Sequence, residues 1–330
     1  GQRVGRFAIH DFPHPGGTGR QIDAEYISNG LNLVAQNVPP LIFGAATTGG
    51  DVNGQHSPEQ VVSDRFGNTY VTGRFNGSVD FDREHSVAGD TLTSTGTDGF
   101  VAAYDSDGQL LWVRAIDGAS GALASGLAID HGVPGVAADD LVYVTGAFGT
   151  SAVYSGQTIA GGAQDAFLLQ LDVTGAASSF TALPSGSGAI GRRVNVATGG
   201  NPVITGEFSG TLVSPAVTLT SAGATDAFVM EYAIGSGVVR AARIGGAGPD
   251  SGTDVALTSG GDIWLAGEFS ATTTGLAALT SASDPAAMLS DAFLLKLSAS
   301  GAGYAADVVR QFGAEGDDTA AAVAVDSLDN

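Results

Sequence analysis

Three groups of side chains in this sequence have types and spacings that suit chemistry. The first is a pair of glutamates, Glu207 and Glu268, each held between a glycine and a phenylalanine in a Gly-Glu-Phe step. Two carboxyl groups brought ~5 to 10 Å apart suffice for glycoside hydrolysis, one as acid and the other as nucleophile or base. Elsewhere the same step carries Arg6, Arg74 and Ala147. The set therefore admits three readings: a catalytic pair, a ligand-binding floor in which Glu207, Glu268, Arg6 and Arg74 recognise a sugar, or ion pairs between neighbouring repeats. Ion pairing is the simplest of the three.

The second group is acidic and glycine-flanked: Asp105 and Asp107 in Asp-Ser-Asp-Gly, Asp250 and Asp254 in Asp-Ser-Gly-Thr-Asp, and the adjacent Asp317 and Asp318. Calcium, the one cofactor the sequence suggests, takes about six to eight oxygen ligands. No segment completes an EF-hand loop, and Asp-Gly turns also form for backbone reasons alone, the carboxylate accepting N–H bonds two residues on. The third group is the five histidines, His10, His14, His56, His85 and His131, all outside the repeated strand cores. His10 and His14 have metal-ligand spacing, but Pro13 and Pro15 block the helix that would align them.

The chain has no cysteine, which excludes disulfides, zinc-thiolate sites and thiol nucleophiles. Gly186-Ser187-Gly188 and Gly235-Ser236-Gly237 read as loop glycine pairs and not as nucleophile elbows. No catalytic residue is assigned.

The elements that must position these groups form a repeat. Thr/Ala-Gly-x-Phe recurs at Thr72–Phe75, Thr145–Phe148, Thr205–Phe208 and Ala266–Phe269, and Asp-Gly/Ala-Phe follows at Asp98–Phe100, Asp165–Phe167, Asp226–Phe228 and Asp291–Phe293. Upstream of each lies an alternating run, Gln60–Asp64, Gly126–Asp130, Arg193–Thr198 and Thr253–Thr258, with a fifth at Ala321–Asp326. Phe100 and Tyr104, or Phe228 and Tyr232, stand four apart and share one face of an extended strand. Asp-Ser-Asp-Gly at 105–108 then supplies a hairpin turn. Each repeat thus offers four antiparallel strands, the content of a propeller blade.

The ends of the first runs are 66, 68, 60 and 68 residues apart, and the circuit from Asp326 through both termini to Asp64 takes a further 68. Val4-Gly5-Arg6-Phe7 echoes Thr72–Phe75. The expected fold is an all-β propeller of five four-stranded blades over residues 1–330. One blade is split between the termini, 1–59 being its poorly matching closure segment and 60–330 the repeats. The eight phenylalanines of the two motifs are expected in the core.

A net charge of -21 disfavours nucleic acid and anionic membranes as partners. With 43% hydrophobic and 14% charged residues the chain can bury a large core, and no apolar run is long enough for membrane insertion as a helix.

The runs Gly67–Gly77, Leu92–Asp105 and Gly108–Trp112, with Gly313–Asp318 and Val323–Asp326, resemble the bacterial SBBP-type β-propeller repeat over roughly residues 60–330. Arg192–Asn201 departs from the pattern, with its glycine turn altered. The resemblance implies an exported or surface-attached bacterial protein, extracellular and without shared catalytic residues; a signal peptide is not among these residues. The expected function is a non-catalytic scaffold or interaction module, whose partner is a protein or glycan at the cell surface, or another copy bound through the split blade into a fibre. A lectin or glycosidase working at a central pocket is the alternative.

Overall fold

The computed structural model describes residues 55–82, 88–132, 136, 139–183, 185–214, 216–282 and 289–329. These residues are all-β, with twenty-one strands and no α-helix among them. Four antiparallel units follow one another. The first comprises β1 (Gln55–Ser63), β2 (Thr69–Asp80), β3 (Thr91–Tyr104) and β4 (Leu110–Gly118), paired in that order. The second comprises β5 (Ala122–Asp130), β6 (Leu141–Phe148), β9 (Asp165–Asp172) and β10 (Ala177–Leu183). The third comprises β11 (Gly188–Val196), β12 (Pro202–Ser209), β15 (Asp226–Ala233) and β16 (Gly237–Gly246). The fourth comprises β17 (Ser251–Leu257), β18 (Ile263–Ser270), β20 (Ser290–Ser300) and β21 (Gly303–Phe312).

Short insertions after the second strands lace the units together, which periodicity alone does not reveal. The hairpin β7 (Ser151–Tyr154) and β8 (Gln157–Ala160) leaves the second unit and pairs onto β4 of the first. In the third unit β13 (Thr211–Val213) and β14 (Thr218–Thr220) form a hairpin of their own, and β19 (Thr273–Gly275) crosses from the fourth unit to β16 of the third.

The Gly-x-Phe step has a steric cause. In every unit the first strand bulges opposite the second, with register shifts between Pro58 and Gln60, Ala124 and Gly126, Gly191 and Arg193, and Gly252 and Asp254. The bulge presses a carbonyl against the facing glycine. A Cβ on Gly73, Gly146, Gly206 or Gly267 would lie 2.2, 1.8, 1.9 or 2.2 Å from the carbonyl oxygen of Ser57, Leu123, Ile190 or Ser251. The phenylalanine two residues on then enters the core, and all eight motif phenylalanines are buried, as expected.

Successive units bury the face of one sheet against the next. Tyr70, Val101, Ala103 and Trp112 of the first unit pack on Leu127, Val144, Phe167 and Leu169 of the second. Tyr143 and Leu168 meet Val194, Ile204 and Phe228 of the third, and Val203 and Val229 meet Val255, Leu265 and Phe293 of the fourth. A side chain on one first strand also holds the next: Gln60 Oε1 accepts the Leu127 N–H at 2.8 Å.

Residues 319–329 lie along β17 and repeat that arrangement. Asp254 Oδ2 accepts the Val323 N–H at 2.8 Å, Thr253 Oγ1 donates to the Ala320 carbonyl, and Asp329 accepts from the Ser259 N–H and hydroxyl at 2.7 and 2.6 Å. The segment ends in the turn that follows β1, β11 and β17. The Asp329 N–H bonds the Asp326 carbonyl as Gly67 bonds Asp64, Gly200 bonds Ala197 and Gly261 bonds Thr258. All four residues at that turn position have positive φ, +88°, +81° and +88° for the glycines and +63° for Asp329.

Two expectations need correction. The third first-strand copy reaches its turn at Ala197, not Thr198, since the Gly200 N–H bonds the Ala197 carbonyl five residues after the bulge residue Arg192, the same interval as from Glu59 to Asp64 and from Thr253 to Thr258. The glycine turn there is intact, since Gly200 takes the same geometry as Gly67 and Gly261. The closure segment lies outside the described residues except for 55–59, which open β1.

Candidate functional site

In two units the charged x residue of the Gly-x-Phe step meets the residue extruded by the facing bulge. In the third unit Arg192 is that residue. Its Nη2 donates to both Glu207 carboxylate oxygens at 2.9 Å, while its Nε donates at 2.9 Å to Ser251 Oγ of the fourth unit. In the first unit the polarity is reversed, with Arg74 Nε 3.8 Å from Glu59. These ion pairs therefore form within units, correcting the expectation that they join neighbouring ones. The Arg74–Glu59 pair is open to solvent and contributes at most about 1 kcal/mol. The signal was present in the sequence as a charge reversal at constant spacing, Glu59 with Arg74 and Arg192 with Glu207. Without the bulge, nothing indicated that residues so far apart would touch. Arg6 lies outside the described residues.

Glu207 and Glu268 do come together, lining a pocket of about 130 Å³ between the third and fourth units with Asp250, Ser251, Ser270 and Ser290. Glu268 is half-buried, and burial pushes its carboxyl above the usual range. Arg192 opposes this, while the charges of Glu207 and Asp317 add to it. Asp250 is buried and pushed up to about 7, chiefly by desolvation. It nevertheless accepts N–H bonds from Gly246 at 2.8 Å and Ser270 at 2.9 Å. Chemically, the pocket sets a carboxylate clamped by arginine beside a half-buried carboxyl that holds its proton more tightly.

The other acidic candidates are dispersed. Asp105 Oδ1 accepts the N–H groups of Asp107 and Gln109, both at 2.9 Å, in its own hairpin turn. Asp254 accepts the N–H groups of Val255 and Val323. Asp317 accepts the Ser290 N–H at 3.1 Å, and Asp318 the Ala314 N–H at 3.0 Å. Among the described residues no three histidine or acidic side chains converge to hold a metal ion. His131 Nδ1 lies 3.1 Å from Asp140 Oδ2, and burial lowers the pKa of His56. His10, His14 and His85 lie outside the described residues.

A further repeated carboxylate was visible only as a sequence marker. Asp98, Asp165, Asp226 and Asp291, each two residues before the motif phenylalanine of a third strand, are buried. Each ties the residues shortly before it to a later segment. Asp98 accepts from Ser94 Oγ and the Gly118 N–H, and Asp165 from the N–H groups of Gly162 and Ser185. Asp226 accepts from the Ala222 N–H and, at 2.7 Å, from Arg243. Asp291 accepts from the Ala282 N–H and Gln311 Nε2. Charge-assisted bonds of this kind satisfy a buried carboxylate and close each loop onto its sheet.

No protein-family model matches this chain, and no curated protein matches it.

Proposed function

We propose that the chain is a non-catalytic scaffold or interaction module, and that its four units belong to a five-bladed propeller completed by the segment on β17 and the N-terminal residues. The observation that supports the reading best is where the conspicuous charges go. Glu207 is held by Arg192, Asp105, Asp254, Asp317 and Asp318 accept backbone N–H bonds, and Asp98, Asp165, Asp226 and Asp291 tie neighbouring segments together. The charged chemistry thus serves the architecture. The glutamate pocket, at about 130 Å³, is also well below the roughly 300–1,000 Å³ of ordinary small-molecule sites.

The propeller reading is supported by the segment 319–329, which repeats both the side-chain link and the turn of the complete first strands. Export or surface attachment, and a protein or glycan partner there, follow from the SBBP-type resemblance alone and are proposed on that ground. A carbohydrate-active role is the second reading, carried by the raised Glu268 carboxyl beside the arginine-held Glu207. The test is turnover of a panel of aryl glycosides by the purified chain and its Glu268→Gln variant. No turnover by either is the expected result. Turnover lost in the variant would establish the second reading instead.

A further inference from the structure

We infer that the outer face of the fourth unit, together with the edge of residues 320–325, is the docking site for this chain's own segment around Val4–Phe7. The inference rests on the five-bladed reading above and names the strand that completes the fifth blade.

The first argument is an unfinished interface. Tyr70, Tyr143 and Val203 occupy one position on the second strands of the first three units and are each 1% exposed. Their counterpart in the fourth unit, Trp264, is only half-buried. Val101, Leu168 and Val229 are likewise buried on the third strands, whereas their counterpart Leu294 is half-buried. In each earlier unit this face is covered by the next unit. The Tyr143 hydroxyl reaches the following unit and donates to the Gly200 carbonyl at 3.3 Å, while Trp264 Nε1 is buried without an acceptor among the described residues. At the other end of the series Val61 is 58% exposed, although its counterparts Leu127, Val194 and Val255 are buried.

The second argument selects the occupant. Residues 320–325 sit where β5, β11 and β17 sit in their units, yet have no sheet partner among the described residues. Every described first strand pairs with a strand that must carry glycine against the bulge carbonyl and phenylalanine two residues later. Gly-x-Phe occurs five times in the chain, and four of these fill that position in the four units. The fifth is Gly5-Arg6-Phe7, the sole instance within residues 1–54. The second to fourth strands of the first unit span residues 69–118, so residues 1–54 are long enough to supply the same three strands. An intramolecular strand also has a high effective concentration, which favours the chain's own segment over a second copy.

Trp112 and Trp264 are the chain's two tryptophans, so Trp112→Phe leaves Trp264 as the single reporter of this face. In that background, deleting residues 1–12 should shift Trp264 emission to the red and raise its quenching by acrylamide. A synthetic peptide of residues 1–12 should reverse both changes, and the Gly5→Ala peptide should bind about tenfold or more weakly, since its methyl meets a backbone carbonyl. Gly5→Ala in the full chain should give the same red shift, with the far-ultraviolet dichroism unchanged, so the test stands even if the deletion misfolds. Removing residues 319–330 tests the five-bladed reading separately. If that truncation shifts the emission but neither the deletion nor Gly5→Ala does, the occupant is wrong. If none of the three shifts it, the five-bladed reading fails too. Light scattering should give the mass of one chain, 32.8 kDa. A larger assembly that falls to one chain on deletion would assign the segment to a second copy and overturn the inference.

Discussion

Asp250 makes a pH dependence that can be worked out in sign and size. It is buried where β16 passes into β17, and burial raises its folded-state pKa from 3.8 to about 7. Asp226 adds to the rise, while the N–H bonds from Gly246 and Ser270 and the charge of Arg243 oppose it. The unfolded chain keeps an ordinary aspartate. Between about pH 4 and pH 7 the folded protein therefore binds the proton that the unfolded chain has released, so stability falls as pH rises through this window and levels off above it. About three pKa units at ~1.4 kcal/mol each set the full effect at roughly 4 kcal/mol. Asp250→Asn removes the ionisation. Its amide also turns a donor towards one of two backbone donors, a pH-independent loss of about 1–3 kcal/mol. Urea unfolding of the parent and the variant at matched pH values isolates the titrating part, because every other carboxylate is common to both proteins. The parent's advantage over the variant should shrink by roughly 2–4 kcal/mol from about pH 4 to pH 7.5. Parallel pH profiles, or an advantage that grows with pH, would show that the Asp250 site does not desolvate its charge.

The steric account of Gly-x-Phe predicts that Gly267→Ala destabilises by about 1–3 kcal/mol or more, since its Cβ would lie 2.2 Å from the Ser251 carbonyl and 2.4 Å from the Phe293 ring. Gly96→Ala, which meets nothing within 4 Å, should stay within about 0.5 kcal/mol by urea unfolding. Thr145 and Thr205 each donate at 2.7 Å to the carbonyl of the motif phenylalanine on the paired strand, whereas the buried Thr72 hydroxyl has no partner among the described residues. Thr205→Val should therefore cost about 1 kcal/mol and Thr72→Val should be neutral or stabilising; equal losses at both sites would contradict this. With the candidate calcium ligands bonded to backbone donors in separate turns, calcium and chelator should leave the melting temperature unchanged. A rise with calcium would reveal a native-state site.

The all-β class and the repeat were legible because their causes lie within one unit. The aspartates that bond their own turns and the glycines at positive φ answer to the backbone within a few residues, and the glycine of Gly-x-Phe answers to a carbonyl on the preceding strand of its own unit, a requirement that printed the same motif four times. The burial of the motif phenylalanines followed from strand alternation for the same reason. Tertiary structure decided what depends on residues distant in sequence. Arg192 meets Glu207, and Glu59 meets Arg74, only because a bulge turns one extra residue towards the neighbouring strand. The hairpin β7–β8 belongs to the second unit in sequence and to the first in hydrogen bonding. Asp250, one of the acidic calcium candidates in the sequence, is a buried carboxyl with a raised pKa. Its solvation is set by residues of both the third and fourth units, and no pattern along the chain encodes how completely those units exclude water from it.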